Sequence, residues 1–264
     1  MEQSDQPVLM TRDGAVAWLR FNRPAVLNAV DEAMAVGFRD GCRAVAEDGG
    51  FRVLVLAGNG RSFMAGGDLG RFHAAPERAP ETAGAIISAL HEGLTILDTL
   101  AIPVIVSVQG PVAGAGFSVV TAADLCIAAD NASFTLAYAR IGATLDGSAS
   151  YNLPRLIGQR RALELALLAD TIDAPTALGY GIVNRVVPLE ALEVETRRLA
   201  ERLAAGPTAA LGRIRRLIRE SWEHNLEDQL ALEKANFRAA AATEDFREGI
   251  AAFAAKRRPA FSGR

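Results

Sequence analysis

The chain has 264 residues with a formal net charge of −3; half of them are hydrophobic and 22% are charged. That is enough apolar material for a large buried core, which excludes a disordered chain. The missing basic excess excludes a surface built to neutralise a run of nucleic-acid phosphates.

Two cysteines, Cys42 and Cys126, stand far apart with no CxxC or paired histidine, so neither a structural zinc site nor a disulfide framework is expected. A reducing cytoplasm suits that usage. The three histidines, His73, His91 and His224, lack HExxH spacing, and no metal site is called for. The amino terminus, MEQSDQPVLMTRDG, carries acids and no long apolar core, so it does not read as a signal peptide.

In chain order, Val16 to Phe21 is a short β-rich run, followed by a helix carrying Met34, Phe38, Cys42 and Val45 at spacings of three and four. Val53 to Leu56 and Ile102 to Val108 are continuously apolar, as strands covered on both faces are. Thr99 to Ala123 lacks charge, but Pro103, Gly110, Pro111, Gly114 and Gly116 break it into strand, turn and helix, so no membrane span is expected. Leu125 to Ala128 and Ser133 to Leu136 add two short strands around an Asp-Asn turn. The segment AAPERAPETAGA, Ala74 to Ala85, reads as a mobile surface loop.

From Leu153 onward the pattern is helix after helix: Arg160 to Leu168, Pro175 to Gly181, Leu189 to Ala205, Thr208 to Trp222, Asn225 to Ala241 and Asp245 to Ala255. The cluster Arg213, Arg215, Arg216, Arg219 reads as a solvated helix face. The expected architecture is an α/β spiral core over 1–200, carrying the ligand site, with a helical carboxyl-terminal region over 201–264.

Several motifs compete for function. GNGRSF after a strand begins like a dinucleotide fingerprint but has Phe63 where the third glycine belongs. GAGFSVV around Ser118 lacks the closing glycine of a nucleophile elbow. Two glycine-rich junctions are more informative, Phe63 to Asp68 (FMAGGD) and Gly110 to Gly116 (GPVAGAG). Each alone reads as a tight turn. Together they let a ligand approach the backbone, and N–H groups opening the second helix carry the positive end of its dipole.

The succession NRPAVLNA, SFMAGGDL, PVIVSVQGPVAGAGF, AADLCIAADNASF, ARIGATLDG, LPRLIGQRRALELALL and EDFREGIAAFAAKRRPAFSGR resembles the enoyl-CoA hydratase/isomerase (crotonase) superfamily across nearly the whole chain. Its later segments are most like the epoxyphenylacetyl-CoA isomerase-like members. The resemblance implies a spiral of ββα repeats, a carboxyl-terminal helical trimerisation region giving a homotrimer or a dimer of trimers, and an acyl-CoA substrate whose CoA is the only cofactor-like group. It assigns the backbone N–H groups of Gly67 and Ala115 to an oxyanion hole, with Gly114 beside them. It turns Ala25, Val26, Leu27, Ala65 and Asp68 toward the CoA. It brings Phe253 and Lys256 near the CoA of the same or a neighbouring subunit.

Two-glutamate hydratases, by the same resemblance, carry carboxylates where this chain has Ser118 and Tyr138, so hydration by that route is not expected. The remaining carboxylate is Asp146 in IGATLDGSAS, which local sequence reads as a helix N-cap and family position reads as the catalytic group. A rival reading takes the same aspartate with His91, as in dehalogenase-like hydrolysis of an aromatic acyl-CoA, with Tyr138 on the pocket wall. A helix-borne His91 without a ligand role is the other reading. A non-catalytic acyl-CoA binder is the alternative of another class.

Overall fold

The structure, a computed structural model, describes residues 6–263. Strands β1 (Val8–Asp13) and β2 (Val16–Phe21) form an antiparallel hairpin, turning at Gly14 with φ +57°. Helix α1 (Glu32–Glu47) follows, its first turn capped where Asp31 accepts from the Met34 N–H. Next come β3 (Val53–Gly58), the short α2 (Leu69–Ala74), the long α3 (Ala79–Thr99), β4 (Val104–Val108), β5 (Pro111–Ala113) and α4 (Ala115–Ala122). Then follow β6 (Leu125–Ala129), β7 (Ser133–Thr135), α5 (Ala149–Ile157), α6 (Gln159–Leu168), β8 (Ile172–Asp173), α7 (Ala174–Tyr180) and β9 (Arg185–Val187). Helices α8 (Leu192–Ala204), α9 (Thr208–Glu220), α10 (Leu226–Ala241) and α11 (Glu244–Ala254) finish the chain.

The main sheet runs β1-β2-β3-β4-β6-β9, parallel after the first hairpin, and the smaller one runs β5-β7-β8. Isolated bridges Val30↔Gly67 and Met64↔Val112 extend the smaller layer. Successive segments thus send one strand to each layer and then a helix, which is a spiral of ββα units. The continuous apolar runs are central because both faces are covered. Leu54, Leu56, Val104 and Val106 point into the larger core, while Val53, Val55 and Ile105 meet Ala200 of α8 on the other face. Gly93 lets α3 lie directly on α1, since a Cβ there would stand 2.6 Å from the Phe38 ring. That close approach fixes the height of α3, and with it His91.

Three expectations change. The Ala74 to Ala85 segment is a 3-10 turn (Pro76–Arg78) leading into the first turns of α3, because Pro80 sits where a helix tolerates proline. The charge-free stretch from Thr99 keeps to its expectation, resolving into β4, β5 and α4, and among the described residues no helix is long and apolar enough to cross a membrane. The boundary drawn at 200/201 falls inside α8, which ends at Ala204.

The arginine cluster is the third correction. Arg215 is buried: its side chain is 6% exposed, holds Asp124 through Nε at 2.7 and 2.9 Å, and donates to the Leu97 and Leu100 carbonyls at 2.8 Å. These carbonyls close α3, where helix ends lack internal partners. Asp124 also accepts from the Val104 N–H and from Arg219. Helix periodicity alone could not see partners supplied by α3 and β4. Arg215→Met should lower stability by about 3 kcal/mol, since it leaves a largely buried carboxylate with Arg219 as its one remaining cation among the described residues. Urea denaturation at neutral pH measures this, and a change within 0.5 kcal/mol, as exposed positions give, would restore the solvated-face reading.

Candidate active site

The two glycine junctions meet. Asn28, fully buried with φ +57°, donates from Nδ2 toward the carbonyls of Ser62 (2.8 Å), Asn59 (3.0 Å) and Phe63 (3.1 Å), and its Oδ1 accepts from the Arg23 N–H at 2.7 Å. Asparagine tolerates that left-handed backbone better than most residues. The Arg23 guanidinium reaches Asp68 at 3.1 Å and Asp31 at 3.2 Å. Neither Asn28 nor Arg23 was singled out from sequence; both lie in the NRPAVLNA motif, which was their only signal. Asp68, expected against the CoA, has its carboxylate engaged by Arg23 and braces the loop.

Around this clamp the main chain is paired tightly. Ala65 N–H donates to the Leu27 carbonyl (3.0 Å), Val30 N–H to Gly66 (2.7 Å) and Asp68 N–H to Val30 (2.9 Å). Since Gly66 and Asp68 both face Val30, the Gly67 N–H between them faces the other way. There the chain meets the second junction: Ala113 N–H donates to the Met64 carbonyl at 2.9 Å, and a Cβ on Gly116 would fall 2.2 Å from that same oxygen. Gly114, at φ +48°, turns the backbone into α4, of which Ala115 is the first residue. Neither the Gly67 nor the Ala115 N–H has a protein acceptor among the described residues. Ala115 is buried. A buried N–H left unpaired is uncommon and costs about 1–3 kcal/mol, so the Ala115 N–H suits an acceptor supplied by a ligand, with the N–H of the exposed Gly67 open beside it.

Asp146 does not cap a helix. Helix α5 begins at Ala149 with Ser148 at its N-cap and no side-chain cap bond, whereas the Asp146 Oδ1 lies 2.7 Å from His91 Nε2. The histidine side chain is half exposed and the aspartate side chain 20% exposed. His91 also lines an open cleft of about 350 Å³ with Thr95, Asp98, Tyr151 and Arg219. The main-chain carbonyl of Asp146 faces Ser118 Oγ at 2.7 Å and the Tyr138 hydroxyl at 3.3 Å. Burial, partly offset by the Ser118 hydrogen bond, pushes the Tyr138 phenol up to about 12, so it keeps its proton at neutral pH.

Ala25 and Val26 lie exposed on a 3-10 turn (Pro24–Val26), and Leu27, at φ +57°, joins that turn to Ala65. The structure therefore groups Ala25, Val26, Leu27, Ala65, Gly67, Gly114 and Ala115 around the glycine junctions. Tyr138, Asp146 and His91 form a second group, joined to the first through α4. Phe253, 86% exposed, and Lys256, at φ +51° beyond the end of α11, are not tied to either group by any hydrogen bond or ion pair among the described residues.

Known proteins resemble the chain over nearly its full length. The sequence pattern of the enoyl-CoA hydratase/isomerase family matches residues 11–264. The chain is 35% identical to 1,2-epoxyphenylacetyl-CoA isomerase of Escherichia coli, covering 97% of this chain and 98% of that one. It is 30% identical to a 4-chlorobenzoyl coenzyme A dehalogenase of Arthrobacter, covering 96% and 92%. The crystal structure of an enoyl-CoA hydratase from Polaromonas superposes with a TM-score of 0.91 at 33% identity, over 96% of this chain and 99% of that one. The α/β spiral with its helical carboxyl-terminal region is thus a crotonase fold, and the chain belongs to the enoyl-CoA hydratase/isomerase family.

Proposed function

We propose that the protein isomerises the acyl part of a CoA thioester. Asp146 takes a proton from the carbon beside the thioester, the double bond shifts toward that carbonyl, and the same carboxyl group returns the proton farther along the chain. The Gly67 and Ala115 N–H groups receive the thioester oxygen as enolate charge develops, in a place where preorganised donors act strongly. The observation that carries this reading is Asp146, whose carboxylate caps no helix and whose main-chain carbonyl is held by Ser118 on the helix that Ala115 opens. One carboxylate suffices to move a proton between carbons, whereas hydration must both activate a water and protonate a carbon. Ser118 and Tyr138 bring no carboxylate, and burial keeps the Tyr138 phenol protonated at neutral pH, so it offers no base for water. The likeness to 1,2-epoxyphenylacetyl-CoA isomerase also supports isomerisation.

The exposed Ala25–Leu27 turn and Ala65 would face the CoA, and Phe253 and Lys256 would reach it from a neighbouring subunit. Exposed Ile214, Ile218, Trp222, Leu226 and Leu230 on and between α9 and α10 support a homotrimer or a dimer of trimers. The reaction calls for no cofactor beyond the substrate's CoA, and a cytoplasmic setting suits it.

The 2.7 Å contact between His91 and Asp146 favours a second reading, with Asp146 as nucleophile and His91 activating water for hydrolysis. Turnover of a 3-enoyl-CoA, crotonyl-CoA and 4-chlorobenzoyl-CoA by the wild type and His91→Ala decides between them. We expect isomerisation of the 3-enoyl ester, little hydration of crotonyl-CoA, and most of the isomerase activity kept in His91→Ala. Chloride release that His91→Ala abolishes would install the hydrolytic reading. CoA-ester binding without any turnover would leave a binding protein.

A further inference from the structure

We infer that Ser118 and Tyr138 are positioning residues: their two hydroxyls hold the main-chain carbonyl of Asp146 and so aim its carboxylate relative to the Ala115 N–H. The inference rests on the reading of Asp146 as the group that moves the proton.

The Ser118 hydroxyl has one proton and three acceptors within reach: the Asp146 carbonyl at 2.7 Å, the Tyr138 oxygen at 3.0 Å and the Gly114 carbonyl at 3.2 Å. The Asp146 carbonyl is the shortest. Tyr138 then donates its own proton to Ser118 Oγ at 3.0 Å or to the Asp146 carbonyl at 3.3 Å. Both protons are thereby used, and because the phenol stays protonated through neutral pH, the arrangement does not change with ordinary shifts in acidity.

The segment they hold needs holding. Gly147 and Ser148 both sit in left-handed backbone, at φ +62° and +69°, and the serine there is a conformation that side-chain-bearing residues avoid. Gly147 is pressed onto Ser118 so closely that a Cβ on it would stand 2.9 Å from the serine Cβ. A residue larger than serine at 118 would therefore meet the backbone of the Asp146 segment. Ser118 lies one turn after Ala115 on α4, so a single rigid helix carries both the N–H and the hydroxyl. Asp146 is then held at its main-chain carbonyl by the hydroxyl pair, while its Oδ1 faces the half-exposed His91 and its Oδ2 is left for substrate.

Removing the grip should misplace the base without altering ester binding. Ser118→Ala and Tyr138→Phe each delete one oxygen and keep the rest of the side chain. The double variant is expected to lose about 10²-fold in kcat, as a displacement of about 1 Å can cost. KM for the 3-enoyl-CoA and the melting temperature should stay near wild type. The decisive readout is a cycle with Asp146→Asn: if the hydroxyls act through the carboxylate, removing them changes nothing further in the residual turnover of that background. Equal losses in both backgrounds, or a double variant with wild-type kcat, overturn the inference. A parallel rise in KM with a large fall in melting temperature also overturns it, by making the hydroxyls general support. Wild-type turnover in Asp146→Asn alone would instead overturn the function proposed above, and this inference with it.

Discussion

Asp146→Asn should lower turnover of a 3-enoyl-CoA by about 10²- to 10⁴-fold, the range that a positioned acid or base supplies. The substitution is close to isosteric and disturbs little else. Asp146 makes no side-chain cap that asparagine would need to replace, and its main-chain carbonyl keeps its bonds to Ser118 and Tyr138. The asparagine Oδ1 can still accept from His91. Folding should therefore survive, and the loss should appear in kcat with KM nearly unchanged. Steady-state kinetics beside a melting curve make the comparison. A folded Asp146→Asn with wild-type kcat would remove the aspartate from the chemistry and leave the proton transfer without a carboxylate.

Ala115→Pro should cost about 10²- to 10³-fold in kcat, as deletion of one oxyanion-hole donor does elsewhere. Proline is well suited to the first position of a helix, where the N–H has no helical partner to lose. The residue before a proline avoids the α region. Gly114 already lies outside it, at φ +48° and ψ −118°. The ring therefore replaces an N–H that no protein group among the described residues accepts from, and the backbone path can stay as it is. If a variant with a wild-type melting curve kept full activity, the Ala115 N–H would not bind the developing enolate. A variant that does not fold can be replaced by comparing affinity for an enolate-mimicking CoA ester with affinity for saturated acyl-CoA, where the wild type should prefer the former.

The two predictions rest on different kinds of information. Gly66 and Gly116 announce a close approach of two backbones in the one-letter code, because a Cβ would press on the Ala113 carbonyl from Gly66 and strike the Met64 carbonyl from Gly116. The family resemblance then assigned the Ala115 N–H, which the structure places at the first position of α4. Asp146 was ambiguous in the same code. An aspartate just before Gly-Ser-Ala at a helix start is what a cap looks like, and local spacing cannot say which way its side chain turns. Its partner, His91, is 55 positions away on α3.

The arginines teach the same lesson from stability. Arg213, Arg215, Arg216 and Arg219 share a charge pattern that reads as solvated, yet Arg215 ends against Asp124, 91 positions earlier. The Ala74 to Ala85 segment errs the other way: its prolines suggested a loop, and both lie in first turns where proline costs no hydrogen bond.

What the sequence by itself determined was whatever is local or periodic. The apolar runs of β3 and β4 read as strands covered on both faces, the glycine junctions read as tight backbone contacts, and Ser118 and Tyr138 bring hydroxyls and no carboxylate to the site. What only the tertiary structure decided was the pairing of groups remote along the chain: Asp146 with His91 and the Ser118–Tyr138 hydroxyls, Asp68 with Arg23, Arg215 with Asp124. The physical reason is that side-chain period and backbone propensity act over a turn or a strand, whereas a charge or hydroxyl takes its role from whichever partner the folded chain brings within about 3 Å, and that is set by how the spiral closes around its core.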